Sequence, residues 1–263
     1  MKTLLITGGA GGVATRIRPL LRDRYRLVLL DRTAAPDLHA SETAFVADLA
    51  DQKAVLEACQ GVDAILHLAC AHSLNIPFEA TLDANYRGTL YLLDACQRFG
   101  IERFVFASSH HVVGQHPVEA FGGDDAAIAP DGFYALSKVF GEGAVALYAH
   151  RTGLRALNIR IGSAGDTAVD GRRVRLWVSA RDLVQLIEIG LNHPELHCET
   201  VYGVSECPDA LFANTRARAL GYRPLDHADD HRDRDFVALA DMPVSEGPGH
   251  VGGPYMPHAL TLV

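Results

Sequence analysis

Apolar residues in the first 161 positions fall into short unbroken runs, each followed by a stretch with helical spacing. The run at 2–7 (KTLLIT) lacks polar alternation, as expected of a parallel strand covered on both faces. It breaks at five residues, Gly8 to Gly12, of which only Ala10 is not glycine, and a helical pattern follows through Ile17, Leu20 and Leu21. Further strands are expected at 26–30, ending at Asp31, at 44–47, at 62–68, at 102–108 and at 154–161. Helices are expected from Asp51 to Cys59, from Pro77 to Phe99 and over 133–150. Beyond 161 the rhythm changes. A stretch rich in glycine and charge (162–175) precedes a helix capped by Ser179, a strand at 200–204 and a helix over 210–220. The tail from Pro243 is rich in glycine and proline and has no periodicity.

Strands alternating with helices of this length predict an α/β fold. Right-handed crossovers make it a Rossmann-type, doubly wound parallel sheet with helices on both faces. A single domain over 1–263 is expected, with a dinucleotide-binding core at 1–161 and a small substrate-side cap and tail at 162–263.

Composition narrows the function classes. With 24 Lys+Arg against 32 Asp+Glu, the net charge of −8 argues against a nucleic-acid partner. No apolar run reaches the length of a membrane helix or a signal peptide, so no membrane partner and a cytoplasmic location are expected. Five dispersed cysteines without a C-x-x-C read as reduced thiols, and no metal site is expected. The adjacent His110 and His111, and the pair His193 and His197 around Pro194, do not suit one ion. The acidic and basic stretch 227–235 reads as a solvated turn. Only three basic residues are lysines, Lys2, Lys53 and Lys138, so each position is informative.

Two motifs carry chemistry. Gly8, Gly11 and Gly12 lie between a strand and a helix, in the pattern T-G-x-x-G-x-x-A. Glycines there let backbone N–H groups approach a pyrophosphate at the positive end of the helix. Asp31, at the end of the second strand, can accept hydrogen bonds from the adenosine ribose and would repel a 2′-phosphate, which favours NAD over NADP. The second motif is Tyr134-x-x-x-Lys138, whose spacing places both on one helical face. An ammonium beside a phenol lowers the phenol's pKa and makes it a usable base. Ser109, ending the fifth strand, can reach the same cleft and hold the reacting oxygen.

Together with Asp48 and Leu49, these residues resemble the extended short-chain dehydrogenase/reductase superfamily. More narrowly, the chain resembles bacterial uronate (hexuronate) dehydrogenases over nearly its whole length. The strings FVFASSHH, DGFYALSK with FGE, RIGS at 160–163, Pro77-Phe78-Glu79 and the late Gly252-Gly253 carry that likeness. The resemblance implies NAD-dependent oxidation of the anomeric C1 hydroxyl of a free hexuronic acid to an aldarolactone. Tyr134 would be the base, with Lys138 and Ser109 beside it. Gly12, Val13, Asp31, Asp48, Leu49, Leu68, Ala69, Cys70, Ala71, Lys138, Ser163 and Ala164 would contact NAD. Ser73, Ser109, His110, His111 and Arg172 would line the sugar-acid site, and a homo-oligomer built on the long helices is implied.

Two features depart from the family pattern. His110 stands where asparagine is usual, and Arg173 and Arg175 compete with Arg172 as the carboxylate clamp. A dehydrogenase for another small polar substrate, or a non-catalytic dinucleotide sensor, are the rival readings. The sensor is disfavoured by the intact Tyr134–Lys138 pair.

Overall fold

The computed structural model describes residues 1–263. Seven parallel strands form the central sheet: β1 (Thr3–Thr7), β2 (Arg26–Asp31), β3 (Glu42–Val46), β4 (Ala64–His67), β5 (Arg103–Ser109), β6 (Arg155–Ile161) and β10 (Cys198–Gly203). Their order is β10-β6-β5-β4-β1-β2-β3. The order reverses between β1 and β4, where a doubly wound sheet opens its ligand crevice.

The apolar runs divide between two cores because successive side chains on a strand face opposite ways. Leu4 and Ile6 of β1 pack on one side with Ile17 and Leu21 of α1 (Gly12–Leu21) and Leu186 and Ile187 of α6 (Ala180–Asn192). Leu5 packs on the other with Val55 of α2 (Gln52–Ala58) and Leu92 of α4 (Gly88–Phe99). Val145 of α5 (Phe133–Thr152) completes that second layer.

Several expected boundaries move. The helix from Pro77 divides into α3 (Phe78–Thr81), a π-helical turn (Leu82–Arg87) and α4. Leu20 is 41% exposed, whereas Arg18, two residues earlier, is fully buried. Arg18 donates from Nη1 to the Gly9 carbonyl (2.6 Å) and pairs through Nε with the buried Glu42 (3.3 Å), bracing the glycine turn from beneath. The sheet also continues past residue 161. β10 pairs with β6 from Cys198 to Gly203, and α6 covers the same face as α1, so the first 161 residues are not the whole core.

The helix expected over 210–220 shrinks to α7 (Thr215–Ala219). Asn214 adopts φ +55, and its side-chain amide bonds both the N–H and the carbonyl of Tyr202, spending 210–214 on closing the sheet edge. Within 162–175 the chain forms β7 (Ser163–Ala164) and β8 (Ala168–Asp170). β7 pairs with β9 (Trp177–Val178), and β8 pairs with β11 (Arg232–Val237), part of the stretch expected to be a solvated turn. The tail is tied down. Gly252 N–H donates to the Gly114 carbonyl (2.9 Å), Val251 N–H to the His116 carbonyl (3.1 Å), and the carbonyls of Thr261 and Leu262 cap α3.

Candidate active site

A cleft of about 680 Å³ runs along the carboxyl ends of β1, β2, β4, β5 and β6. Its walls include Gly8, Gly11, Gly12, Val13, Asp31, Asp48, Leu49, Leu68 through Ala71, Ala164, Ser109, His110, His111, Tyr134 and Lys138. Three expected residues are not on that wall. Ser73 lines a small neighbouring recess with Tyr134 and Tyr255, Ser163 sits half-buried in β7, and Arg172 lies buried behind the two histidines.

At one end, Gly8 adopts φ +70, and a Cβ there would come within 2.9 Å of the Ala69 nitrogen, so only glycine allows the turn to lie against the loop after β4. The α1 N-terminus opens at Gly12 beside it, and Asp31 Oδ2 accepts the Ala10 N–H (3.1 Å) at the end of β2. A cleft with a bare helix N-terminus at its centre and a carboxylate at its adenosine end fits a dinucleotide without a 2′-phosphate.

At the other end, Tyr134 and Lys138 project from the first turns of α5. Lys138 is 3% exposed, and its Nζ donates to the Ala107 carbonyl (2.7 Å). It stands 5.6 Å from the Tyr134 ring centroid. Burial pushes the Tyr134 phenol well above its ordinary value, reinforced by Cys70, while the nearby Ser109 hydroxyl pulls the other way. The lowering expected from Lys138 is therefore outweighed by desolvation.

Beyond Tyr134 lies a cluster of buried polar groups. His111 Nδ1 lies 2.6 Å from Asp131 Oδ2, and His110 Nδ1 lies 3.1 Å from the Ile161 carbonyl. His110 Nε2, Asp131 Oδ1 and Arg172 Nε are buried without a partner. Burial holds both imidazoles neutral, with the Arg172 charge adding to the effect, and takes His111 down to about 3. Burial raises the Asp131 carboxyl to about 7. Arg173 is bound to Asp170 and Arg175 Nε to the Asp209 carbonyl, so of the three arginines only Arg172 faces the histidines.

Three residues escaped the sequence reading. Asn85, in the π turn, accepts the Ala71 N–H (2.7 Å) and donates to the Ala71 carbonyl (2.9 Å) and Ser137 Oγ (2.9 Å). It ties the cleft loop to the helix of Tyr134, and a lone asparagine before Gly88 was its only signal. Asp131 stands three residues before Tyr134, and Tyr255 follows the Gly252-Gly253 pair. The Tyr255 ring packs at a tilt against His111, 4.0 Å between centroids. Under the cleft, Thr89 donates to the Asn85 carbonyl (2.7 Å), so His67 Nε2–H donates to Thr89 (3.0 Å) and its Nδ1 accepts from Thr7 (2.7 Å).

Comparison with known proteins decides the family. Residues 4–164 match the profile of the NAD dependent epimerase/dehydratase family. The chain belongs to that family. Among its members, a uronate dehydrogenase of Pseudomonas syringae pv. tomato is 36% identical over 257 residues, covering 96% of this chain and 92% of the relative. The crystal structure of an Agrobacterium tumefaciens uronate dehydrogenase, a mutant complexed with NAD, superimposes with a TM-score of 0.90 at 32% identity, covering 99% and 98% of the two chains. A glucuronic acid dehydrogenase of Chromohalobacter salexigens gives a TM-score of 0.88 at 32% identity, over 98% and 97%. The epimerase/dehydratase family thus supplies both the fold and the cofactor class read from the motifs.

Proposed function

We propose that this protein is an NAD-dependent uronate dehydrogenase that oxidises the C1 hydroxyl of a free hexuronic acid to its lactone. The observation that carries this reading is the convergence of Tyr134, Ser109 and Lys138 on one cleft wall with His110 and His111, behind which lies a buried arginine, Arg172, whose Nε has no partner. An acidic protein that binds an anion needs a local cation, and a guanidinium suits a carboxylate.

NAD, when bound, supplies the acceptor for the hydride from C1. The chain's own residues do the rest. Ser109 donates to the C1 oxygen and holds it beside Tyr134, which takes the hydroxyl proton as the carbonyl forms. Lys138, anchored on the Ala107 carbonyl, holds its charge next to the phenol and would hold the nicotinamide ribose. Asp31 favours NAD over NADP. Self-association through α4 and α5 is part of the proposal, supported by the exposed Leu90, Leu136 and Leu147 on those helices.

Purified protein with NAD and glucuronate or galacturonate should yield NADH absorbance, and Tyr134→Phe should abolish it. Absence of NADH with either uronate and with a panel of aldoses and sugar acids would refute the assignment.

A further inference from the structure

Asp131 does not line the cleft, yet nothing in the fold requires a carboxylate where it lies. It is 8% exposed, and no lysine or arginine donates to it. Two glycines confine it. A Cβ on Gly114 would fall 2.5 Å from Asp131 Cγ, and one on Gly252 would fall 2.9 Å from it, so no larger side chain fits this slot. Its one hydrogen bond goes to His111 Nδ1. The His111 ring is wedged against two tilted neighbours, His110 at 4.1 Å and Tyr255 at 4.0 Å between centroids, and the residue is 8% exposed, which restricts its rotation. His111 Nε2 has no partner within the chain, and the residue lines the cleft.

We propose that Asp131 is a positioning residue that sets the tautomer of His111, so that the Nε2 lone pair faces the cleft and accepts a hydroxyl of the sugar acid. Above pH 7 Asp131 is ionised and cannot donate, so there the hydrogen in the 2.6 Å contact sits on Nδ1 and Nε2 is left bare. The same logic applies next door. A carbonyl cannot donate, so His110 Nδ1 carries the hydrogen toward Ile161 and its Nε2 is also an acceptor. This polar cluster therefore holds two imidazole lone pairs, that of His110 buried, with the Arg172 guanidinium behind them. A carboxylate placed against Nε2 would meet a lone pair, whereas a hydroxyl would be bound. This directs the substrate's carboxylate to Arg172 and a ring hydroxyl to His111, fixing which way the sugar lies. The titratable and charged neighbours of the pair are Arg172, His110, His72, Tyr134 and Tyr255.

The inference rests on the uronate dehydrogenase reading, and its test separates the two. In Asp131→Asn the amide can donate to Nδ1, allowing the opposite tautomer with little change in volume. The KM for the uronate should rise roughly three- to tenfold, the worth of one neutral hydrogen bond, with the KM for NAD unchanged. In a His111→Gln background the same substitution should add nothing further. Nitrogen NMR of the wild-type imidazoles at pH 8, with His111 assigned by its loss in His111→Gln, should show Nδ1 protonated and Nε2 bare. An unchanged uronate KM, an equal rise in the NAD KM, additive effects in the double variant, or a protonated Nε2 would each overturn the proposal. If the wild type oxidises no uronate, the functional reading falls, while the NMR still decides the tautomer. It also decides alone if Asp131→Asn fails to fold.

Discussion

Gly141 lies on the same face of α5 as Lys138 and Tyr134, where the helix crosses β5. A methyl group there would sit 2.7 Å from Phe106 Cε1, 3.0 Å from Cε2 and nearer still to Cζ. Ordinary carbon contacts are about 3.5–4.0 Å, so helix and ring would have to part by roughly 1 Å. Phe106 has no room to yield. It is 1% exposed, packs 5.6 Å from the His67 ring and lies 5.1 Å beneath the Lys138 ammonium. Overpacking of this kind costs about 1–3 kcal/mol, offset by about 0.5–1 kcal/mol for replacing glycine with alanine in a helix. Gly143, two residues on, is exposed and would place its Cβ in open space. Gly143→Ala should therefore gain the helical term alone, about 0.5–1 kcal/mol of stability. The difference between the variants, about 1–3 kcal/mol, isolates the packing of the catalytic helix on the sheet. Urea denaturation of both measures it. Turnover should separate them too, since a displacement of about 1 Å at Tyr134 and Lys138 costs up to roughly a hundredfold in kcat. If Gly141→Ala matches Gly143→Ala in stability and keeps full turnover, the close approach of α5 to Phe106 is wrong.

Other outcomes follow from the buried polar groups. Arg160 is held by Glu142 through two bonds (2.9 and 2.8 Å), and Ser108 also donates to Glu142 (2.5 Å). Glu142→Ala strands that guanidinium and should cost about 3–5 kcal/mol, read from the urea midpoint. Burial takes His67 down to about 3, so the unfolded chain binds its proton first. Its share of stability should be fully present above pH 6.5 and fall by about 1.4 kcal/mol per unit as pH drops toward 3, in addition to the shares of His110 and His111. His67→Gln should remove that one share from the slope of the urea profile. Burial keeps the Tyr134 phenol protonated at neutral pH, so kcat/KM should climb with pH into the alkaline range; a profile flat from pH 7 upward would contradict this.

The glycine turn, Asp31, Ser109, Tyr134 and Lys138 were legible because each is bound to its element by local rules. A strand must end, a helix must begin, and two residues four apart share a face. Cofactor-side contacts follow from those elements, and all but Ser163 lie on the cleft wall. The substrate side was less legible. Arg172 was marked among three arginines, but its burial behind the histidines depends on Gly253, at φ +60, packing against its guanidinium. Asp131, Asn85 and Tyr255 carry no periodic signal, since each acts through contacts made across the fold.

The sequence by itself determined the doubly wound sheet, the dinucleotide crevice and the pairing of Tyr134 with Lys138 on one helical face, because apolar periodicity, glycine punctuation and helical spacing act over a few residues and leave local marks. The tertiary structure alone decided that β10 completes the sheet and α6 covers it, that the aperiodic tail clamps Asp131 and Arg172, and that His110 and His111 gather with them in one buried polar cluster. Those outcomes depend on which groups are buried together and on where the single hydrogen in a contact such as His111–Asp131 comes to rest. Burial and proton placement are properties of neighbours in space, and the order of residues along the chain does not record them.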